Sequence, residues 1–416
     1  MDASLLPVIE RHPPVRASLR IAVVTETYPP EVNGVATTIA RLVRGMCERH
    51  HEVQLVRPRQ DASDCAERQD RFHEILQRGV SIPRYPDLKM GLPARNSLVR
   101  LWTLDRPDVV HIVTEGPLGW SALQAATKLR IPVTSDFRTN FHAYSQHYGV
   151  GWLKKPIAAY LRKFHNRTAV TMVPTDALRR ELSARGYRNL RVVARGVDTA
   201  LFDPARRSEA LRRQWGADAE TVVSLYVGRL APEKNLQALT VAFEAIRRRT
   251  PKARLVVVGD GPAATELRAQ CPDVHFAGLR TGEDLAVHYA SGDVFLFPSL
   301  TETFGNVTLE AMASGLAVVA FDYAAAAQHV RHAVSGMLAT YDDSTGFARM
   351  AAEMASDPRR ARRYGAQARA TATTLDWARI VGLFESLLIA VAQTVHKGYG
   401  KGFSGAVKAL RKACGA

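Results

Sequence analysis

Short runs of consecutive apolar residues alternate along this chain with longer stretches in which apolar positions recur every three or four residues. The first pattern is that of a buried strand, the second that of an amphipathic helix. Leu19 to Val24 is the first strand. A loop from Thr25 to Asn33 and a helix beginning after Gly34 follow it. Strands are then predicted at residues 51–58, 108–113, 131–137, 169–174 and 190–193. Helices are predicted near 95–104, 118–129, 153–166 and 177–186. The stretch ARGVDTALFDP, 194–204, breaks the alternation, with Gly196 and Pro204 as punctuation. A second series follows: strands at 222–228, 253–259, 274–278, 293–299 and 317–321, with helices between them and on to the C-terminus. Regular strand–helix alternation predicts a parallel sheet covered by helices on both faces.

The chain therefore reads as α/β with two doubly wound, Rossmann-like domains. Residues 1–18 form a leader, 19–193 a first domain, 194–204 a linker, 205–375 a second domain and 376–416 C-terminal helices and tail. Open sheets of this kind bind ligands beyond the carboxyl ends of their strands, so two facing domains place a ligand in the cleft between them.

The length of 416 residues suits two cores better than one. No apolar run approaches the roughly 20 residues of a membrane-spanning helix, and the N-terminal stretch lacks the apolar core of a signal peptide. Cys47, Cys65, Cys271 and Cys414 are far apart, without a C-x-x-C pair. That argues against a disulfide framework or a zinc site and fits a reducing, cytoplasmic compartment. The net charge of +16 attracts polyanions such as nucleic acid, an anionic membrane or phosphorylated substrates, and does not choose among them.

Three loops at strand ends carry candidate chemistry. Gly34 opens a helix after the first strand, where backbone can approach an anion or simply turn. Gly228-Arg229 to Lys234-Asn235 sets two cations at the end of the second domain's first strand, suited to a diphosphate. Gly259-Asp260-Gly261-Pro262 follows the next strand and permits a tight turn or the close approach of a ligand. The most informative stretch is SLTETFGNVTLEAMASGLAVVAF, 299–321. Glu302 falls in a strand-to-helix loop. The amides of Phe304, Gly305, Asn306 and Val307 lie at the helix start, where N–H groups have no partner within the helix. Glu310 lies further along, placed to accept hydrogen bonds from a diol such as ribose.

These segments, with TETYPPEVNGVATTIARL, PDVVHI, VARGVDTALFDP, VGRLAPEKN and VVVGDGP, resemble the retaining nucleotide-sugar glycosyltransferases of family 4, or group 1. That family includes bacterial mannosyl- and glucosyltransferases and plant sulfoquinovosyltransferase. The resemblance runs from about Arg20 to about Leu388. It implies the GT-B fold, with a C-terminal helix crossing back to the first domain. It implies transfer of a hexose, α-linked, from a GDP- or UDP-sugar to a hydroxyl of a lipid or glycan, without a metal or other cofactor. The chain has no Asp-x-Asp of the metal-dependent kind. By the same resemblance Arg229 and Lys234 hold the donor diphosphate, Glu310 the ribose, and Glu302, with the amides of Phe304 and Gly305, the hexose. Gly34 approaches the donor from the first domain, and Arg280 lies near the base. Many relatives carry Phe-His-Thr after the strand at 131–137, whereas this chain has Phe137-Arg138-Thr139. Arg138 cannot act as a base but can meet a phosphate or an acidic sugar or acceptor. His142 is the nearest imidazole.

On the acceptor side, Glu115 follows the strand at 108–113 and faces the cleft. Residues 151–164 mix aromatic and basic side chains, as does the C-terminal tail, the composition of an interfacial segment on an anionic membrane. A core helix with solvated cations has the same composition. Two competing readings are a non-transferring relative, an epimerase or a phosphorylase, and a nucleic-acid-binding protein. No lysine stands in a setting suggestive of pyridoxal phosphate, and no nucleic-acid recognition motif is present.

Overall fold

The computed structural model describes residues 18–31, 33–82, 85–138 and 154–397. The first sheet has eight strands in the order β10-β9-β8-β7-β1-β2-β4-β3. They are β1 Arg20–Val24, β2 Glu52–Pro58, β3 Arg68–Gln69, β4 Phe72–Gln77, β7 Val109–Ile112, β8 Val133–Asp136, β9 Val170–Val173 and β10 Leu190–Val192. A separate ribbon pairs β5 Gly79–Ile82 with β6 Tyr85–Gly91. All pairs of the large sheet are parallel except β3 with β4. Helices α1 Gly34–Glu48, α2 Arg95–Leu104, α3 Pro117–Leu129, α4 Lys154–His165 and α5 Asp176–Ala184 complete this domain.

The second sheet is fully parallel, in the order β13-β12-β11-β14-β15-β16. Its strands are β11 Val223–Val227, β12 Arg254–Val258, β13 His275–Gly278, β14 Val294–Phe297, β15 Ala317–Phe321 and β16 Gly336–Ala339. Its helices are α6 Glu209–Gln214, α7 Leu236–Arg249, α8 Ala264–Gln270, α9 Gly282–Ala290, α10 Asn306–Ala313, α11 Ala324–His329, α12 Ser344–Ala355 and α13 Pro358–Ala372. Central strands are buried along their length, as a parallel sheet covered on both faces requires. In each sheet the order reverses at the first strand of its domain, β1 or β11, which sets the switch points in the cleft.

β3 to β6 and β16 carry no clear strand signal. β4 is only half-buried over most of its length, and β16, Gly-Met-Leu-Ala, lacks the β-branched and aromatic residues of the central strands.

The last helix, α14 Trp377–Lys397, returns to the first domain. Phe384, Leu387, Leu388 and Val391 share a core with Ile21, Val23, Leu42 and Met46. Glu385 binds Arg49 at 2.6 Å and His51 at 3.0 Å, fixing the helix to the end of α1. The chain crosses between domains twice, side by side. Val197 N–H donates to the Leu375 carbonyl at 3.1 Å, and a Cβ on Gly196 would lie 3.0 Å from the Trp377 side chain. Val197 and Phe202, inside the predicted linker, belong to the second domain's core.

Among the described residues no helix is long and apolar enough to cross a membrane. In α4, Leu161 and Phe164 are buried in the first domain. This part of the 151–164 segment is a core helix with an exposed basic edge, because its aromatic face packs on Trp120. Residues 151–153 and the tail beyond 397 lie outside the described residues.

Candidate active site

The site is assembled from strand ends. β14 leaves Glu302 in the loop before α10. Ser299 Oγ donates to Glu302 Oε1 at 2.8 Å, and Lys234 Nζ bonds the same oxygen. Tyr323 OH donates to the Glu302 carbonyl at 2.8 Å, so backbone and side chain are both fixed. Lys234 comes from the loop after β11. That loop is tied to the Glu302 loop a second time, where Thr301 Oγ1 donates to the Glu233 carbonyl at 3.1 Å. Arg229 starts the same loop, half-buried, its carbonyl accepting from Tyr226 OH at 3.2 Å.

Gly305 caps α10 with φ +90°, a left-handed backbone that favours glycine. The turn exposes the first N–H groups of the helix, at Asn306 and Val307, beside the Glu302 loop. Phe304 is buried and anchors the loop into the core. Glu310, one turn in, is half-buried, and Tyr289 OH donates to its Oε2 at 2.9 Å. Burial pushes its carboxyl up to about 7, against the opposing pull of that hydrogen bond.

The first domain faces this site with α1. Asn33 caps the helix, its Oδ1 accepting from Val35 and Ala36 N–H. The Asn306 side chain spans the cleft: its Nδ2 donates to the Gly34 carbonyl at 3.4 Å and its Oδ1 accepts from Arg195 Nη1 at 2.9 Å. The Asn306 carboxamide is thus engaged between the domains. A cavity of about 240 Å³ opens next to Glu302, lined by Phe137, Thr175 and Leu178 of the first domain and Thr303, Asp322 and Tyr323 of the second.

The glycines after β12 have a structural account. A Cβ on Gly259 would lie 2.0 Å from the Gly228 carbonyl oxygen, and one on Gly261 2.4 Å from that of Leu230. The close approach is by the chain's own Gly228–Leu230 loop. Arg280, at the end of edge strand β13, donates to the Ala277 carbonyl at 2.9 Å and to Asp284 at 3.1 Å.

Arg138 is buried, its Nε bonded to Asp136. His111 Nε2 lies 3.2 Å from the same Asp136 oxygen, and these two partners hold the Asp136 carboxyl down to about 2 against full burial. Arg138 is thus part of a fixed ion network, not a mobile stand-in for an imidazole. His142 lies outside the described residues. Glu115 is buried, bound to His165 Nε2 at 3.1 Å. Glu26 lies nearer the surface; its Oε1 accepts Leu118 N–H at 3.1 Å, and burial, with a smaller push from the Glu115 charge, raises its carboxyl to about 7.

Sequence reasoning passed over Arg195, Asp136, His111 and Tyr289. A signal existed for two of them: His111 interrupts the apolar strand VVHI, and Asp136 ends another.

The geometry has counterparts. The family model described as "Glycosyltransferase Family 4" matches residues 32–201 and that described as "Glycosyl transferases group 1" matches residues 221–357. A GDP-mannose-dependent alpha-mannosyltransferase of Mycobacterium tuberculosis is 35% identical over 314 residues, 73% of this chain and 79% of that protein. An alpha-monoglucosyldiacylglycerol synthase of Streptococcus pneumoniae is 29% identical over 73% of this chain and 71% of its own length. Among solved structures, a sucrose-phosphate synthase from Thermosynechococcus elongatus superposes with a TM-score of 0.73 at 20% identity, over 89% of this chain and 98% of that one. Anabaena HepE in complex with UDP and glucose gives 0.70 at 19%, over 89% and 100%. The chain belongs to the group 1, family 4 glycosyltransferases, and is a hexosyltransferase of the GT-B fold.

Proposed function

We propose that the chain moves mannose, with retention, from GDP-mannose to a hydroxyl of a lipid or glycan acceptor. The observation that carries the site assignment is the Glu302 carboxylate, held by Ser299 and Lys234 at the junction of cavity, cation loop and helix start. Glu302 and the amides of Phe304 and Gly305 take the hexose hydroxyls. Arg229, Lys234 and the α10 N–H groups at Asn306 and Val307 take the diphosphate. Glu310 takes the ribose diol, Arg280 lies toward the base, and Gly34 lets α1 approach the donor. Gly228, Gly259 and Gly261 support this arrangement by packing the two loops together.

In the step itself the acceptor oxygen attacks the anomeric carbon on the face from which the phosphate leaves. As the carbon–phosphate oxygen bond breaks, the acceptor proton passes to that phosphate oxygen. Cations and helix N–H groups stabilise the charge developing on the leaving group, so the reading requires no metal and no other cofactor. Three relatives named GDP-mannose-dependent, at 35%, 33% and 32% identity, support the donor. The glucosyl-lipid relative favours glucose as the transferred hexose in a second reading. Relatives named for lipid products support a lipid acceptor, and with it action at the inner face of a membrane, peripherally bound through the basic surface. Glu26 and Glu115 lie on the acceptor side.

Thermal shift against GDP-, UDP- and ADP-sugars in the presence of EDTA tests this, since a ligand that binds only the folded state raises its melting point. One nucleotide class should stabilise the protein. Arg229→Ala with Lys234→Ala should weaken that binding by ~3 kcal/mol or more, the loss of two charge-assisted contacts. Unchanged nucleotide affinity in the double variant refutes the diphosphate assignment.

A further inference from the structure

Two arginines reach the cleft from the first-domain side and have no role in the reading above. Arg138 follows β8 and is buried, aimed by Asp136. Arg195, where the chain first crosses between domains, is 5% exposed. Its Nη1 is held by Asn306, its guanidinium lies over the Phe304 ring at 5.4 Å, and its Nε is buried without a hydrogen-bond partner. After desolvation, the charge of Arg138 is the largest influence on Arg195, and together they hold it down to about 9. The positive ends of α1 and α10 meet at the same point, through Asn306 and Gly34. A buried guanidinium with an unused donor, a like-charged neighbour and two helix N-termini is costly without an anion. Two carboxylates offset part of this charge, but Asp136 is shared between Arg138 and His111, and Glu302 is bonded to Lys234.

We propose that Arg138 and Arg195 form an oxyanion subsite, separate from the Arg229–Lys234 pair, that takes a phosphoryl group. Guanidinium donors suit phosphate oxygens in paired geometry. The phosphoryl group has two possible sources. One is the donor's own diphosphate, gripped from both domains. The other is a phosphate on the acceptor. Two guanidinium groups there make this chain selective for an anionic partner at that point.

The probe is inorganic phosphate, titrated by calorimetry into the full chain with and without saturating GDP, and with UDP in a parallel series. The wild type is expected to bind phosphate. Arg195→Gln is expected to weaken that binding tenfold or more, with Arg195→Lys partly restoring it. Arg229→Ala with Lys234→Ala should retain it, which separates this subsite from the donor assignment. If nucleotide excludes phosphate, the source is the donor. If phosphate binds on top of nucleotide, the source is the acceptor. The proposal is overturned if the wild type binds no phosphate, if Arg195→Gln binds it as tightly as the wild type, or if only the Arg229/Lys234 variant loses it. Melting curves establish that each variant is folded, and Arg138→Lys serves as a second variant should Arg195→Gln fail to fold.

Discussion

Glu310 gives the sharpest quantitative test of the donor side. Its half-buried side chain on α10 accepts a hydrogen bond from Tyr289, and desolvation pushes its carboxyl up from 4.5 to about 7. The native state therefore holds this proton more tightly than the unfolded chain. Below pH 4.5 both states are protonated and the group contributes its full share to stability. As pH rises from 4.5 to 7 the unfolded state loses its proton first, and that share is lost. A shift of about 2.5 units at 1.36 kcal/mol each gives a penalty of about 3 kcal/mol at pH 8. Glu310→Gln keeps the shape and an acceptor for Tyr289 but removes the charge. The ligand-free variant should match the wild type near pH 4.5 and exceed it by up to about 3 kcal/mol at pH 8. For domains of this size that is a melting difference on the order of 6–12 °C. Glu26 titrates over the same range, also at about 7, so the difference between wild type and variant isolates Glu310. Function should move the opposite way. In the proposed role Glu310 accepts from a ribose diol as the ionised carboxylate, so nucleotide binding near pH 7, where the free group is half ionised, should release about half a proton in the wild type, rising toward one near pH 6, and none in Glu310→Gln. Calorimetry in buffers of different ionisation enthalpy counts that proton. A stability difference that stays flat from pH 5 to 8, or equal proton counts, refutes the reasoning.

Glu302→Ala should lower turnover by more than about 100-fold, the scale of one lost transition-state contact. Its melting point should stay close to wild type, because Glu302 sits in a loop, and turnover near wild type would remove it from the site. Phe384→Ala should cost about 3–5 kcal/mol in urea unfolding, since the ring is buried between α14 and the first sheet. A loss below about 1 kcal/mol would mean that α14 contributes little to that core.

The parts of the fold legible in the sequence were those whose burial is continuous. β14 and β15 are apolar throughout, and β1, β7 and β11 nearly so, because helices cover both faces, and the run of residues shows it. β4 was not legible because partial exposure breaks up its apolar run, and β16, Gly-Met-Leu-Ala, because it has no β-branched or aromatic residue. In the site, Glu302 and Lys234 were legible because each stands in a loop at a strand's carboxyl end. Their direct bond was not, since 68 residues separate them. Arg195 was missed for a related reason. Its contacts, Asn306 and the Phe304 ring, arise only when the domains face each other. The glycines after β12 were ambiguous because a turn made for a ligand and a turn made for a neighbouring loop demand the same residue.

The return of α14 to the first domain also sets an order of assembly. Ile21, Val23 and Leu42 emerge from the ribosome early, but their partners Phe384, Leu388 and Val391 come last. Between the end of β10 at Val192 and Val391 lie about 200 residues, which take roughly 10–40 s to synthesise at 5–20 residues per second. Throughout that interval the first domain presents an uncovered apolar face, while the second domain, whose core needs nothing beyond Leu375, can close around itself. The domain made first is therefore the one completed last, and the nascent chain is most exposed to aggregation and to chaperones along the surface that α14 will cover.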